Sequence, residues 1–168
     1  MQRKEHARAA TRSRAEIPLI DKDTILERLF ESKGVGDALW RHRLSRESDV
    51  LLEAEAKASA GAVLVSFWHL PGMPMDSGTP TAWLPELSTE LVEVHCACQP
   101  EVAAQRFLQR RRHPGHLNRQ ASYAEVLRSL RAIPCLGALK IGPRVNVDTS
   151  QDPDLDIVIR DIHAEFLR

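Results

Sequence analysis

The sequence predicts an α/β chain built on parallel strands. Short apolar runs alternate with longer amphipathic stretches, and turn residues separate most of them, which is the pattern of βαβ units. Ala62 to Trp68 is apolar apart from Ser66, as expected of a strand covered on both faces, and Leu91 to Cys98 is a second buried-strand candidate. The 168 residues are 43% apolar and 27% charged, which provides for one domain with a sizeable core and excludes a collagen, a mucin or a disordered tail.

Residues 1–16 are rich in Arg and Ala and read as a basic arm or helix fragment, leaving residues 17–168 as the folded domain. Ile17 to Ile20 is a short strand ending on Asp21 and Asp23. Thr24 to Glu31 continues as a helix, because Ile25, Leu26, Leu29 and Phe30 recur at helical spacing. Lys33-Gly34-Val35-Gly36 stops it. Asp37 then caps a long helix through Lys57, with Leu39, Trp40, Leu44, Leu51 and Leu52 as an interrupted apolar stripe. After Gly61 comes the Ala62 to Trp68 strand, followed by a loop from Leu70 to Pro80 of the kind that borders sites. Pro100, just past the Leu91 to Cys98 strand, occupies a favoured first-turn position of a helix reaching about Arg112. His113-Pro114-Gly115-His116 breaks that helix. Ser122 and Glu125 form a capping box for the next, which ends at Arg131. Arg144 to Thr149 is the last strand, and Asp152-Pro153 opens a final helix whose Leu155, Val158, Ile159, Ile162 and Phe166 share one face.

Lys plus Arg and Asp plus Glu both number 23, so no global field draws the chain to nucleic acid or to an anionic membrane. No apolar run approaches the ~18 residues of a spanning helix, and the N-terminus has no apolar secretion signal, so the expected compartment is the cytoplasm. Three cysteines make a poor disulfide framework and fit a reducing environment.

In open α/β sheets ligands bind beyond the carboxyl ends of the strands, which selects the residues just after each run. Asp21 and Asp23 end the first strand, where one carboxylate can accept a hydroxyl proton and the other can hold a magnesium-bound water. The plainer alternative is that Asp23 caps the helix starting at Thr24. Ser66 with His69 makes only a weak hydrolase signal, since Ser66 lies inside a strand without G-x-S-x-G, and His69 reads as a polar residue at the mouth of a cleft. Arg106 and Arg110 are one helical turn apart and can converge on a polyphosphate, beside Arg111 and Arg112 and ahead of a breaker that suits a closing lid. Cys96, Cys98, His95, His113 and His116 are zinc-ligand types. A C-x-C along a strand has no turn to wrap a tetrahedral ion, so buried structural thiols are expected. Thr149 and Ser150 follow the last strand and can hydrogen-bond a base or make a turn.

These residues taken together, Ile17 to Asp23, Ala62 to Trp68, Leu91 to Cys96 with Pro100-Glu101, Arg106-x-x-x-Arg110-x-x-His113, and Val147 to Ser150, resemble the P-loop small-molecule kinases. The similar branch is that of AAA-type ATP-binding proteins near gluconate, shikimate and chloramphenicol kinases. The resemblance covers about residues 17–168 and rests on the order and spacing of several motifs. It implies a P-loop NTPase-like three-layer sandwich, ATP and Mg²⁺ as nucleotide and metal, and transfer of the γ-phosphate to a small hydroxylated acceptor. It further implies Asp23 as substrate base, Asp21 as a magnesium-shell ligand, Arg106 and Arg110 as lid arginines, and Thr149 and Ser150 at the nucleotide's adenine side.

Two departures qualify this. The family's central strand, phosphate loop and first helix should precede Ile17, where only the basic arm stands, and no G-x-x-x-x-G-K-[ST] occurs in the chain. Gly137 to Gly142 has the glycine spacing but is followed by Pro143 and precedes a strand. Ser66 also stands where the family often carries a carboxylate. The lost strand would lie between Ala62–Trp68 and Leu91–Cys98, leaving a gap of roughly ten Å with two unpaired edges. The expectation is therefore a shortened or degenerate kinase-like chain, impaired in phosphoryl transfer and holding nucleotide only weakly. The alternative is a non-catalytic interaction module whose gap accepts a partner strand or a second copy in a homodimer. Nucleic-acid binding through Arg3 to Arg14 and Arg106 to Arg112 is disfavoured by zero net charge and few aromatics.

Overall fold

The computed structural model of the chain describes residues 17–88, 90–117, 121–133 and 136–167. The basic arm of residues 1–16 lies outside them. Where the first helix begins is decided by Asp21. Strand β1 (Leu19–Asp21) passes directly into helix α1 (Lys22–Lys33), with Asp21 extended and its carboxylate accepting the amide of Asp23. The cap is therefore Asp21, two residues before the alternative expected at Asp23, and this leaves the Asp23 carboxylate free of capping duty. Ile25, Leu26, Leu29 and Phe30 form the buried face of α1.

Asp37 caps α2 (Ala38–Ala58) by accepting the Trp40 amide at 2.8 Å. The buried face of this helix differs from the expected stripe. Leu44, Ser45, Ser48, Asp49, Leu52 and Ala56 point inward, while Leu39 and Leu51 are exposed. The helix thus turns a partly polar face to the core, and three of those polar groups matter below.

Strand β2 (Val63–Val65) pairs in parallel with β1, Ile20 opposite Leu64. A one-turn helix, α3 (Leu84–Leu87), absent from the sequence reading, follows the long loop. Strand β3 (Glu93–Ala97) leads into α4 (Pro100–Gln109), which ends before Arg110 and so is shorter than expected. A 3₁₀ turn at Pro114–His116 precedes α5 (Tyr123–Ala132), whose capping box of Ser122 and Glu125 is formed from both sides. Strand β4 (Arg144–Asp148) pairs in parallel with β3, and α6 (Leu155–Phe166), capped by Asp154, packs on β4.

The strands form two parallel two-stranded sheets, β1 with β2 and β3 with β4, and no ladder joins β2 to β3 among the described residues. The expectation of strands covered on both faces does not hold: Val63 is 51% exposed, Val65 43% and Val94 41%. None of the residues of α6 is buried.

The principal core lies under β1, β2, α1, α2 and α3, where Ile20, Ile25, Leu52, Ala56, Trp83 and Leu84 cluster and Leu91 and Ile141 from the second half pack against them. Leu26, Leu29, Phe30 and Leu44 form a second cluster between α1 and α2. Cys96 is exposed and Cys98 half-buried, so the expected burial of both thiols does not hold. Among the described residues, no helix is long and apolar enough to cross a membrane.

Candidate functional site

Asp21, Lys22 and Asp23 have three different partners. Asp21 keeps its cap. The Lys22 ammonium turns toward α2, where it pairs with Asp49 Oδ1 at 2.5 Å and donates to Thr79 Oγ1 at 3.0 Å. Asp49 also receives Arg46 Nε at 3.3 Å. The Ser66 hydroxyl lies 2.5 Å from Thr79 Oγ1, so the residue after β2 joins this network as a hydrogen-bonding partner and not as a nucleophile. Burial lowers the pKa of Lys22, opposed by its hydrogen bond to Asp49.

Thr79 reaches this place because the loop after β2 returns alongside it: the Thr79 amide donates to Phe67 O and the His69 amide to Thr79 O, each at 2.8 Å. Gly78 makes that return possible. Its φ is +71°, and a Cβ there would stand 2.7 Å from the His69 backbone. The His69 ring bonds Ser77 O at 2.7 Å, tying the same loop.

Asp23 faces the segment after α4, and Arg112 makes a short ion pair with its Oδ2. Three further contacts press that segment against α1. His116, its side chain only 1% exposed, bonds Glu27 Oε1 through Nε2 at 2.9 Å. The Phe30 ring stacks on His113 at a centroid distance of 5.3 Å and meets His116 edge-on at 5.6 Å. Gly115 allows the approach, since a Cβ on it would stand 2.5 Å from the Phe30 ring. Burial lowers the pKa of His116, with Glu27 opposing.

At the end of β4, Arg106 donates to the carbonyls of Thr149 and Ser150, the latter at 3.2 Å. Ser150 Oγ accepts the Gln99 amide at 2.9 Å, and Thr149 Oγ1 donates to Ala97 O at 2.8 Å. The hydrogen bonds from Ser150 hold the Asp148 carboxyl below its ordinary pKa. Arg106, Thr149 and Ser150 thus come together. Arg110 does not join them: it lies at the C-cap of α4, exposed beside Arg111, Arg112 and His113 on a groove of about 640 Å³.

The structure accordingly keeps Asp21 at the helix cap, puts Arg106 with Thr149 and Ser150, and makes Arg112 the arginine that reaches Asp23. Sequence reasoning missed Lys22, Arg46, Asp49 and Thr79. One signal was present: Ser45, Ser48 and Asp49 interrupt the apolar face of α2 at helical spacing, which marks a buried polar patch. Among the described residues no three His, Cys, Asp or Glu side chains converge as metal ligands. A magnesium ion that keeps most of its waters needs only one or two carboxylates, a demand that a single strand-end carboxylate such as Asp21 can meet.

No protein-family model matches the chain. No curated protein matches it in sequence. Among solved structures, it is similar to the crystal structure of a protein described as a "putative kinase" from Chloroflexus aurantiacus, with a TM-score of 0.63 and 22% identity over 89% of this chain and 84% of that one. At that identity the likeness is one of fold, and the fold is kinase-like.

Proposed function

We propose that the chain is a kinase-like phosphotransferase domain that passes the γ-phosphate of ATP to a small hydroxylated acceptor, with impaired efficiency because it carries no G-x-x-x-x-G-K-[ST] phosphate loop. The observation that carries this reading is the Asp23 to Arg112 ion pair. It joins a carboxylate at the end of a parallel strand, where α/β sheets bind ligands, to an arginine on a segment latched over α1. The kinase-like fold supports it.

Asp23 takes the proton of the acceptor hydroxyl. As that oxygen bonds to the γ-phosphorus, the bond to the bridging oxygen breaks and its electron pair leaves with ADP. Arg112 exchanges Asp23 for the oxygens of the transferring group, which its planar fork suits. Bound magnesium supplies charge neutralisation on the phosphates, and Asp21 is the residue placed to hold one of its waters. Arg106, Thr149 and Ser150 form the nucleotide side, and Arg110 lines the groove at the end of α4. Lys22, Asp49 and Arg46 position Asp23 by fixing the first turn of α1 to α2.

The test is ADP release from Mg-ATP by the full chain over a panel of hydroxylated small molecules. Acceptor-dependent release abolished in Asp23→Asn, with nucleotide binding kept, is the expected result. Full turnover in Asp23→Asn would remove the role given to that residue.

A second reading has its own observation, the β2 and β3 edges left unpaired among the described residues, with exposed Val63, Val65 and Val94. It makes the chain an interaction module completed by a strand from a partner or a second copy. Light scattering after size exclusion separates the two: an obligate dimer indifferent to ATP favours the module, and a monomer that hydrolyses ATP excludes it.

A further inference from the structure

Strands β1 and β2 bury one face of their sheet and leave the other in water. Ile20 and Leu64, opposite each other in register, belong to the principal core. Leu19 lies opposite Val63, and the Val63 amide donates to Pro18 O, so the pairing reaches ahead of Leu19. Side chains two residues apart along a strand share a face, which puts Ile17, Leu19, Val63, Val65 and Phe67 together on the reverse side. Each of the five is between 43% and 68% exposed. The charged residue in register with them, Asp21 opposite Val65, has its carboxylate engaged with the Asp23 amide.

Together the five leave on the order of 500 Å² of apolar surface in solvent, near the upper end of what a monomer keeps uncovered. Two copies of this face bring together about 1,000 Å² of it, close to the apolar share of a standard dimer interface of about 1,600 Å². The charge balance permits that approach: basic and acidic residues both number 23, so two copies do not repel each other at neutral pH. Residues 1–16 join the face at Ile17, yet they carry five Lys and Arg and, Met1 apart, no apolar side chain larger than alanine, which is a poor complement to it. Residues 17–21 and 62–67 contain no Lys or Arg, so the face also lacks the basic rim that holds a protein to an anionic membrane.

We propose that this face is the interface of a homodimer, in which two copies pack sheet on sheet about a twofold axis. An isologous contact needs a surface complementary to itself, and an uncharged sheet face of aliphatic and aromatic side chains meets that need. The dimer uses the face of β2 and not its edge, and it requires no phosphoryl transfer.

The experiment is sedimentation equilibrium of the full chain from about 1 to about 100 μM, in wild type, Phe67→Ser, Val65→Lys and Val65→Thr, with circular dichroism as the check on folding. A dimer with a Kd of about 10 μM or tighter is expected, weakened about tenfold or more by Phe67→Ser and by Val65→Lys. Val65→Thr keeps the branched shape and should weaken it less, and it decides the matter if Val65→Lys does not fold. A wild-type chain monomeric throughout the range overturns the proposal. A dimer whose Kd is unchanged in Phe67→Ser and in Val65→Thr also overturns it and assigns the association to the strand edges. A monomer that sediments with phosphatidylcholine vesicles overturns it in favour of a lipid surface. A monomer in which Phe67→Ser speeds hydrogen exchange in residues 1–16 overturns it in favour of that segment as the cover.

Discussion

Asp49→Asn is expected to unfold the chain at a markedly lower temperature, although Asn keeps the shape of the side chain. The Asp49 side chain is 8% exposed and its carboxylate binds Lys22, whose side chain is 12% exposed, and Arg46, which is 35% exposed. Removing one partner of a buried pair costs about 3–5 kcal/mol, because the other charge stays behind without compensation. Arg46 can turn outward to water, and Lys22 keeps its hydrogen bond to Thr79, so the lower end, about 3 kcal/mol, applies here. For a domain of this size that corresponds to a fall of about 6–12 °C in Tm, read by circular dichroism at neutral pH. The double variant Lys22→Met/Asp49→Leu removes both charges and should recover most of the loss, since apolar replacement of a buried pair is close to neutral.

The pH dependence has a definite sign. Burial lowers the folded-state pKa of Lys22 below 10.5, so the unfolded chain binds the proton more tightly and stability rises as pH climbs toward that value. Without Asp49 the lowering deepens, and the rise in Asp49→Asn should begin at lower pH and run further than in wild type. An Asp49→Asn chain melting within about 2 °C of wild type would refute the reasoning, as would a double variant no more stable than the single one.

Three further outcomes are expected. Gly115→Ala forces a Cβ into the Phe30 ring, so it should destabilise by about 1–3 kcal/mol and speed hydrogen exchange over residues 113–117; unchanged exchange there would remove the latch. His116 is held below its ordinary pKa of 6.5 by burial, so its contribution is complete above 6.5 and is lost as pH falls through the folded-state value, and His116→Gln should flatten the acid limb of the stability profile. Arg112→Met should lower kcat far more than it weakens acceptor binding if Arg112 moves onto the transferring phosphoryl group, and an equal effect on both would place it in ground-state binding only.

Much of the fold was legible because its signals are local. The Asp37 cap, the Ser122 and Glu125 box and Pro100 in the first turn of α4 each act within a few residues, and their helices begin as the sequence indicates. The kinase-like likeness was legible for a related reason: motif order along the chain survives without knowledge of contacts. The missed cap at Asp21 was a two-residue error with a functional consequence, since it decides which carboxylate is left to meet Arg112.

By itself, then, the sequence determined the four strand segments, every helix but the one-turn α3, and which short polar stretches stand at the strand ends. Only the tertiary structure decided that Arg112 and not Arg106 reaches Asp23, that Lys22 is buried on Asp49, and that the strands form two separate pairs among the described residues. The physical reason is range. A cap or an amphipathic face is settled by neighbours one helical turn away, whereas Asp23 and Arg112 stand 89 residues apart, and which arginine arrives depends on how α4 ends and on the ring of Phe30 it packs against.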